Sequence, residues 1–222
     1  MRCAFDMSIR KIYEVGRDED IPIHDLLQLR TPLTQYAPDA LNVIPYILDN
    51  GAFSLFEGPK FAKMAHFALA DDRCMFIVMP DIVGDHNETM ARFTYWYRLL
   101  DLDEYPRESH GDKLAFVAQD GCSVENMPDA LWDLIGCLFV GGTDSFKEGQ
   151  EAFDLIEEAQ KRRKWVHVGR VNTPRKIVYF HGLADSFDGS GIARFREMRQ
   201  KAAAILRTLD GTVQLRFSEW VE

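Results

Sequence analysis

The sequence predicts an α/β fold, a compact and irregular (β/α)8 barrel of the TIM type, in which residues 1–222 form a single domain. Six short apolar runs alternate with helix-like segments, as in repeated βαβ units. The runs are apolar throughout rather than at every second position, which is typical of parallel strands buried on both faces. A GxGxxG fingerprint and a P-loop are both absent.

The predicted strands become regular from residue 44 onward. They are 44–48, 75–79, 114–118, 137–140, 165–168 and 185–187. A closed barrel needs one or two more strands, which we expect in the first forty residues or in 212–217. Within the first forty residues, 10–15 indicates a strand and 25–29 indicates a short helix.

Helical spacing of apolar residues predicts the intervening elements. The predicted helices are 60–69, 87–100, 126–135, 146–161 and 192–209, with one more that begins at Thr173-Pro174. Proline is favoured at the first helical position, so Pro174 marks that start. Asn87 is a candidate cap for the helix 87–100, and Asp85, just before it, also suits a capping role.

The charge is unevenly distributed along the chain. The net charge is −9, yet residues 161–201 contain eleven Lys or Arg and only three Asp or Glu, a local balance of +8. Such a segment on an acidic protein indicates a site for a polyanion. Solvation of helix surfaces is the alternative, because 161–164 also lies where a helix C-terminus favours cations.

The remaining composition favours a cytoplasmic protein. No run of 18 apolar residues is present, so we expect no membrane span, and the first residues lack the pattern of a secretion signal. The four cysteines form no CxxC pair, and Cys74 and Cys137 lie in strand-like runs, so we expect reduced, buried thiols. No motif predicts a metal site.

Carboxylates follow several of the predicted strands. Asp49 precedes Asn-Gly, where small residues let a flat ligand approach the backbone, although the same residues form turns. Asp81 is the favoured pocket acid of its loop, because Asp85 suits the capping role better. Asp188 lies between a strand and a helix, where it is a candidate nucleophile, although it or Ser190 is also a candidate N-cap.

Two further strand ends carry groups that suit a nucleobase. Gln119 has both a donor and an acceptor for the edge of a base. Gly141 and Gly142 leave room for a ring and expose backbone N–H groups. His167 and His181 are interpreted as structural rather than catalytic.

Together these segments resemble the tRNA-guanine transglycosylase superfamily, in order over residues 44–195. The resembling segments are 49–53 (Asp-Ser-Gly-Gly-aromatic in the family), 79–81, 117–121 (Val-Gln-Gly), 140–142, 167–169 (Leu-Met-Gly) and 182–188 (Gly-x-Asp-x-Phe-Asp). The resemblance implies that Asp188 is the covalent nucleophile and Asp49 the general acid/base. It also implies a base-binding set: Phe53 and Val168 as stacking faces, with Asp81, Gln119, Gly141, Gly142 and Gly169 around the base.

The chain departs from the tRNA-acting members of that superfamily. No cysteine follows Cys137, so their Cys-rich zinc site is missing, and the chain is much shorter. It looks more like the small branch that inserts 7-deazaguanine derivatives into DNA (DpdA-like proteins of phages and bacterial modification islands). The resemblance thus implies a pentosyltransferase without cofactor, in the host cytoplasm if phage-encoded.

The predicted partners are DNA (or RNA) and a 7-deazaguanine base, with Arg170, Arg175 and Arg194 as phosphate contacts. The oligomeric state stays open, a homodimer being one option. Three alternatives also stay open: a tRNA-guanine transglycosylase, a catalytically silent binding subunit, and an enzyme that exchanges bases on free nucleosides.

Overall fold

The computed structural model describes residues 1–34, 43–52, 56–102 and 111–218, and within them eight parallel strands close into a barrel. The strands are β1 (Arg2–Phe5), β2 (Leu26–Arg30), β3 (Tyr46–Leu48), β4 (Cys74–Val78), β5 (Leu114–Ala118), β6 (Cys137–Val140), β7 (Trp165–Val168) and β8 (Ser186–Asp188). Each strand pairs with the next along the chain, and β1 closes the barrel on β8. The predicted (β/α)8 TIM-type barrel is confirmed.

Helices surround the barrel. They are α1 (Ile9–Asp18), α2 (Gly58–Ala70), α3 (His86–Leu99), α4 (Asp129–Leu134), α5 (Asp144–Lys147), α6 (Gln150–Lys161), α7 (Pro174–Phe180), α8 (Ser190–Arg194) and α9 (Arg196–Ser218). Among the described residues, none of the helices is both long and apolar enough to cross a membrane.

The predictions for the two ends of the chain were partly wrong. Residues 10–15 lie in α1, because Ile9, Ile12 and Val15 recur at helical spacing and are all buried, and the Ser8 hydroxyl caps the helix. Residues 25–29 lie mostly in β2, which with β1 supplies the two missing strands. Residues 212–217 belong to α9 and not to a strand.

Side-chain caps set several helix boundaries. Asp85 caps α3 by accepting a hydrogen bond from the Glu88 N–H at 3.0 Å, so the Asp85 prediction is confirmed and the Asn87 cap is wrong. Thr173 caps α7, whose first residue is Pro174 as predicted. The predicted helix 146–161 is divided into α5 and α6, and the helix predicted at 192–209 into α8 and α9.

The apolar core has two layers. The larger layer lies between the strands and the helices, and a smaller one fills the barrel interior with residues such as Phe76, Val78 and Val117. All four cysteines are free and buried, as expected for Cys74 and Cys137, and burial raises the pKa of the Cys74 thiol to about 12. This packed interior supports the loops at the C-terminal ends of the strands.

Candidate active site

A cavity of about 500 Å³ opens at the end of the barrel where the strands finish. Its lining includes Val78, Val117 and Phe139 from the interior layer of the barrel, together with polar residues that come directly after the strands. The C-terminal ends of the strands form the active-site face of TIM barrels, and this volume suits a small ligand.

The residues predicted from the sequence converge on this cavity. Those that line it are Asp49, Asp81, Gln119, Gly141, Gly142, Gly169, Arg170, Asp188 and Arg194. Phe53 lies outside the described residues. Val168 and Arg175 are absent from the described lining of the cavity.

The prediction that Val168 supplies a stacking face is wrong. Val168 is fully buried in the layer between the strands and the helices. Side chains alternate along a strand, so the interior-facing positions beside it are His167 and Gly169. The family's motif aligns with this strand, but side chains alternate between its two faces, and Val168 lies on the face that packs against the helices.

A hydrogen-bonded group of amides holds Asp81 in the wall of the cavity. Its carboxylate accepts hydrogen bonds from Asn50 Nδ2 at 2.7 Å and from Gln119 Nε2 at 2.6 Å. The Asn50 amide also donates to the Met79 carbonyl at 2.9 Å, and Gln119 Oε1 accepts from the Gly84 N–H at 2.8 Å. One N–H of Gln119 and the remaining lone pairs of Asp81 are therefore available to a ligand.

Burial raises the pKa of Asp81, against the opposing effect of the two amides. Asn50 is a site residue to which the sequence assigned no role beyond a turn and a place in the segment 49–53. The sequence feature that could have identified Asn50 is its position directly after Asp49 at the end of β3. The neighbouring strand β4 is followed by Asp81, which the Asn50 amide can reach.

Asp49 is the carboxyl group of the cavity whose pKa departs most clearly from its ordinary value. Burial, followed by the negative charges of Asp188 and Asp81, raises its pKa to about 7, while the backbone N–H groups of Gly51 and Asn50 oppose the shift. A carboxyl group that titrates near neutrality can both give and take a proton at physiological pH, which suits an acid/base catalyst.

Asp188 is held by the neighbouring strand rather than by the helix after it. Its Oδ1 accepts a hydrogen bond from the Arg170 N–H, and its Oδ2 lies 3.1 Å from His167 Nε2. The N-cap of α8 is Gly189, so the alternative that Asp188 caps this helix is wrong. His167, interpreted as structural from the sequence, is thus a direct neighbour of the candidate nucleophile.

Two glycines allow the walls of the cavity to approach each other. A Cβ at Gly169 would lie 2.7 Å from the Phe139 ring and 3.6 Å from Asp188 Oδ2. Gly142 has a φ of +74°, and a Cβ there would meet Asp120 Oδ2 at 2.6 Å. A side chain at either position would displace groups beside the cavity.

The basic segment 161–201 is divided between the two ends of the barrel. Residues 161–164 join α6 to β7 at the end opposite the cavity, and Arg162 is paired there with Glu158 at 2.7 Å. Arg170 and Arg194 line the cavity, whereas Arg175 forms an ion pair with Glu148 at 2.5 Å. The segment is therefore not one continuous patch.

The described residues contain no cluster of three or more His, Cys, Asp or Glu that is arranged to hold a metal ion. The cavity instead presents four carboxylates, Asp6, Asp49, Asp81 and Asp188, in a lining that also contains two arginines. Asp81 is hydrogen-bonded to two side-chain amides. Such an arrangement can bind a polar, planar ligand by its edge and can carry out nucleophilic and acid/base chemistry beside it.

No protein-family model matches the sequence, and no curated protein matches it. A solved structure that resembles it is a glycerophosphoryl diester phosphodiesterase from Parabacteroides distasonis ATCC 8503, with 13% identity and a TM-score of 0.43. The match covers 75% of this chain and 51% of that chain, so this chain spans about half the length of the matched protein. The fold and the cavity define the protein as a TIM-type barrel with a carboxylate-rich site.

Proposed function

We propose that this protein is a base-exchanging transglycosylase, a pentosyltransferase that replaces guanine in DNA with a 7-deazaguanine derivative. The observation that carries the proposal is the convergence of Asp49, Asp188 and the Asp81–Gln119 pair on one cavity. A nucleophile, a proton carrier and a base-recognition edge are the three groups that base exchange needs.

The Asp81–Gln119 pair complements the Watson–Crick edge of guanine. The N1–H and N2–H groups of guanine are donors and suit the Asp81 carboxylate, while O6 is an acceptor and suits the available N–H of Gln119. Because a 7-deazaguanine has the same edge, one pocket serves both the leaving and the entering base. Gly141 and Gly142 line the same cavity, and a Cβ at Gly141 would lie 2.9 Å from Gln119 Nε2.

In the first displacement, an Asp188 oxygen attacks C1′ and the C1′–N9 bond breaks. The electron pair of that bond goes to N9, which takes the proton of Asp49, so guanine leaves as a neutral base. Asp188 is then an ester and has lost its charge. Since that charge helps to raise the pKa of Asp49, its loss favours release of the proton at this step.

In the second displacement, the 7-deazaguanine enters the same pocket. Its N9–H gives its proton to the Asp49 carboxylate, N9 attacks C1′, and the C1′–O bond to Asp188 breaks. Both carboxyl groups return to their starting state. Two inversions at C1′ retain the configuration of the nucleoside.

The target nucleotide must leave the base stack, or come from a single strand, for Asp188 to reach C1′. Arg170 and Arg194 line the cavity and would contact phosphates there, Arg170 by exchanging its hydrogen bond to the Gly142 carbonyl. Arg175 contributes only if it exchanges its partner Glu148 for a phosphate. These cations also offset the repulsion between the acidic cavity and a polyanion.

The test is a guanine-exchange assay, which needs no knowledge of the natural base. Isotopically labelled guanine is incubated with the protein and single-stranded DNA, duplex DNA, tRNA or free deoxyguanosine, and label in the digested nucleosides is measured by mass spectrometry. The same reactions are repeated with 7-cyano-, 7-amido- and 7-aminomethyl-7-deazaguanine. Asp188→Asn is the inactive variant, and the exposed Asp72→Asn, at the opposite end of the barrel, is the matched control.

We expect exchange into DNA that falls at least about 10⁴-fold in Asp188→Asn, as for loss of a nucleophile, and is unchanged in Asp72→Asn. Exchange into tRNA alone would keep the chemistry and move the substrate to RNA. Exchange into free deoxyguanosine alone would establish a nucleoside enzyme. Absence of exchange on all four substrates would contradict the proposal and favour a silent binding subunit.

A further inference from the structure

A chain of hydrogen bonds runs through the interior of the barrel to Asp188. Trp165 Nε1 donates to Ser186 Oγ at 2.8 Å, Ser186 Oγ lies 2.8 Å from His167 Nδ1, and His167 Nε2 lies 3.1 Å from Asp188 Oδ2. Trp165 and His167 lie on β7, and Ser186 and Asp188 on the adjacent β8. Two neighbouring strands thus build the connection from alternate, inward-facing positions.

The groups at the two ends of this chain, together with a neutral imidazole, set the direction of each hydrogen bond. The indole N–H of Trp165 only donates, and an ionised Asp188 only accepts. His167 must therefore present Nε2–H to Asp188, and in a neutral imidazole Nδ1 is then the acceptor. With a neutral imidazole, the Ser186 hydroxyl accepts from Trp165 and donates to Nδ1, and this arrangement satisfies all the donors and acceptors.

Packing holds the imidazole in that orientation. The side chain of His167 has no exposed surface. Its ring lies against Phe139 at 4.7 Å between centroids and against Phe76 at 5.5 Å. A ring enclosed on its faces and bonded at both nitrogens has little freedom to turn.

We propose that His167 is a positioning residue that fixes the Asp188 carboxylate in its attacking orientation, an inference that rests on the proposed function. His167 holds Oδ2 while the Arg170 N–H holds Oδ1, so the plane of the carboxylate is set from both oxygens. Ser186 and Trp165 in turn fix the tautomer that donates. Small errors in the position of a nucleophile reduce the rate strongly, which gives this arrangement a function beyond packing.

The first arm of the test is kinetic. His167→Phe keeps a buried ring without a donor, and His167→Gln restores a donor near the place of Nε2. We expect kcat for guanine exchange to fall about 30- to 100-fold in His167→Phe with KM for the nucleic acid within about twofold, and to recover to within about fivefold in His167→Gln. The kcat of Ser186→Ala should lie between those of His167→Phe and His167→Gln. This variant keeps the imidazole ring but removes the hydroxyl that fixes its tautomer.

Circular dichroism and unfolding curves identify the fraction of each variant that is folded, and kcat is expressed per folded molecule. A purely structural role predicts equal kcat per folded molecule in His167→Phe, His167→Gln and wild type, which would overturn the inference. A kcat per folded molecule that falls in His167→Phe and recovers in His167→Gln would support the inference.

The second arm does not depend on activity. Nitrogen-15 NMR of the imidazole rings, assigned with His167→Gln, reports which nitrogen carries the proton. We expect Nε2–H in the wild type and a changed His167 signal in Asp188→Asn and in Ser186→Ala. An Nδ1–H tautomer would overturn the inference even in an active enzyme, whereas the expected tautomer in a protein without exchange activity would locate the failure in the proposed function.

Discussion

Two carboxylates of the cavity and one at the N-terminal end of the barrel have pKa values shifted in opposite directions. At the N-terminal end, Asp71 accepts hydrogen bonds from the Arg73 side chain and backbone at 3.0 Å, and these hold its pKa below the ordinary value. In the cavity, the pKa values of Asp49 and Asp81 are raised, first by burial. For Asp49, the charges of two neighbouring carboxylates add to the shift.

We interpret the partnered charged groups at the N-terminal end as contributing to stability and the clustered carboxylates of the cavity as contributing to function. Lys113 also has partners at the N-terminal end, because its ammonium group donates to the backbone carbonyls of Leu69 and Asp71 at 2.9 and 3.1 Å. These ion-pair and hydrogen-bond partners hold the chain together at that end. The cavity instead keeps like charges close together at a cost in folding free energy, which is typical of sites that carry out chemistry.

Within this comparison, the largest effect is expected from exchanging a carboxyl for an amide in the cavity and at the N-terminal end. Asp49→Asn should lower guanine exchange about 10²- to 10³-fold, because the variant cannot carry the N9 proton. The same change should raise the free energy of unfolding at pH 8 by about 1–3 kcal/mol, because it removes a carboxyl whose ionisation burial opposes. Urea unfolding at several pH values and the exchange assay measure the two effects.

The effect of Asp49 on the free energy of unfolding changes with pH in a defined direction. Folding raises the pKa of Asp49 from 3.8 to about 7, so the folded state binds the proton more tightly than the unfolded state. The destabilisation is absent below about pH 4, grows between these values and is complete above about pH 7. The advantage of Asp49→Asn should therefore appear only as the pH rises through this window.

Asp71→Asn is the matched variant at the other end and should behave in the opposite way. Because folding lowers the pKa of Asp71, its carboxylate stabilises the protein above the ordinary pKa, and this contribution is lost as the pH falls through the folded value. We expect a loss of about 1 kcal/mol at pH 7 that shrinks in acid, with exchange unchanged. Equal effects of Asp49→Asn and Asp71→Asn would refute the contrast.

A smaller effect is expected at the base-recognition edge. Asp81→Asn should weaken guanine binding about 30- to 100-fold, because one charged acceptor for two guanine donors becomes a neutral amide. Asp85→Asn, on the same loop, should leave guanine affinity unchanged, since Asp85 caps α3 and asparagine also caps helices. Isothermal titration with guanine separates the two, and equal losses would indicate that the loop, rather than the Asp81 carboxylate, reads the base.

The sequence predicts the barrel and nine of the residues that line the cavity, because both depend on local patterns. Uniformly apolar runs that end in Asp, Gln or Gly specify buried parallel strands and the polar groups at their C-terminal ends, whichever strands lie beside them. The strands β1 and β2 were not located because they are short and flank α1, whose helical period extends over the residues first assigned to a strand.

The missed residues are those whose role depends on a partner strand. His167 reaches Asp188 only because β7 and β8 pair in a register that places His167 opposite Ser186. Asn50 reaches Asp81 across from β3 to β4, and Val168 is excluded from the cavity by its place in the alternation. Register of this kind is set by the closure of the whole barrel and leaves no mark in a single strand.

The smallest expected effect tests the division of the basic segment. Arg194 lines the cavity. Arg162 lies between α6 and β7 at the opposite end of the barrel, where it forms ion pairs with Glu158 and Asp129. Arg194→Ala should weaken binding of single-stranded DNA about 3- to 10-fold and reduce the slope of log affinity against log salt by about one, because one phosphate contact is lost. Arg162→Ala should leave both quantities unchanged, although both residues belong to the same local charge of +8.

Fluorescence anisotropy over a series of salt concentrations measures both variants. An equal loss in Arg162→Ala would mean that nucleic acid extends along the barrel to its N-terminal end, and that the paired charges there exchange their partners for phosphate. An effect confined to Arg194→Ala would limit the polyanion to the cavity end. The charge balance of a segment would then predict binding only for those residues that the fold leaves on the same face as the reacting groups.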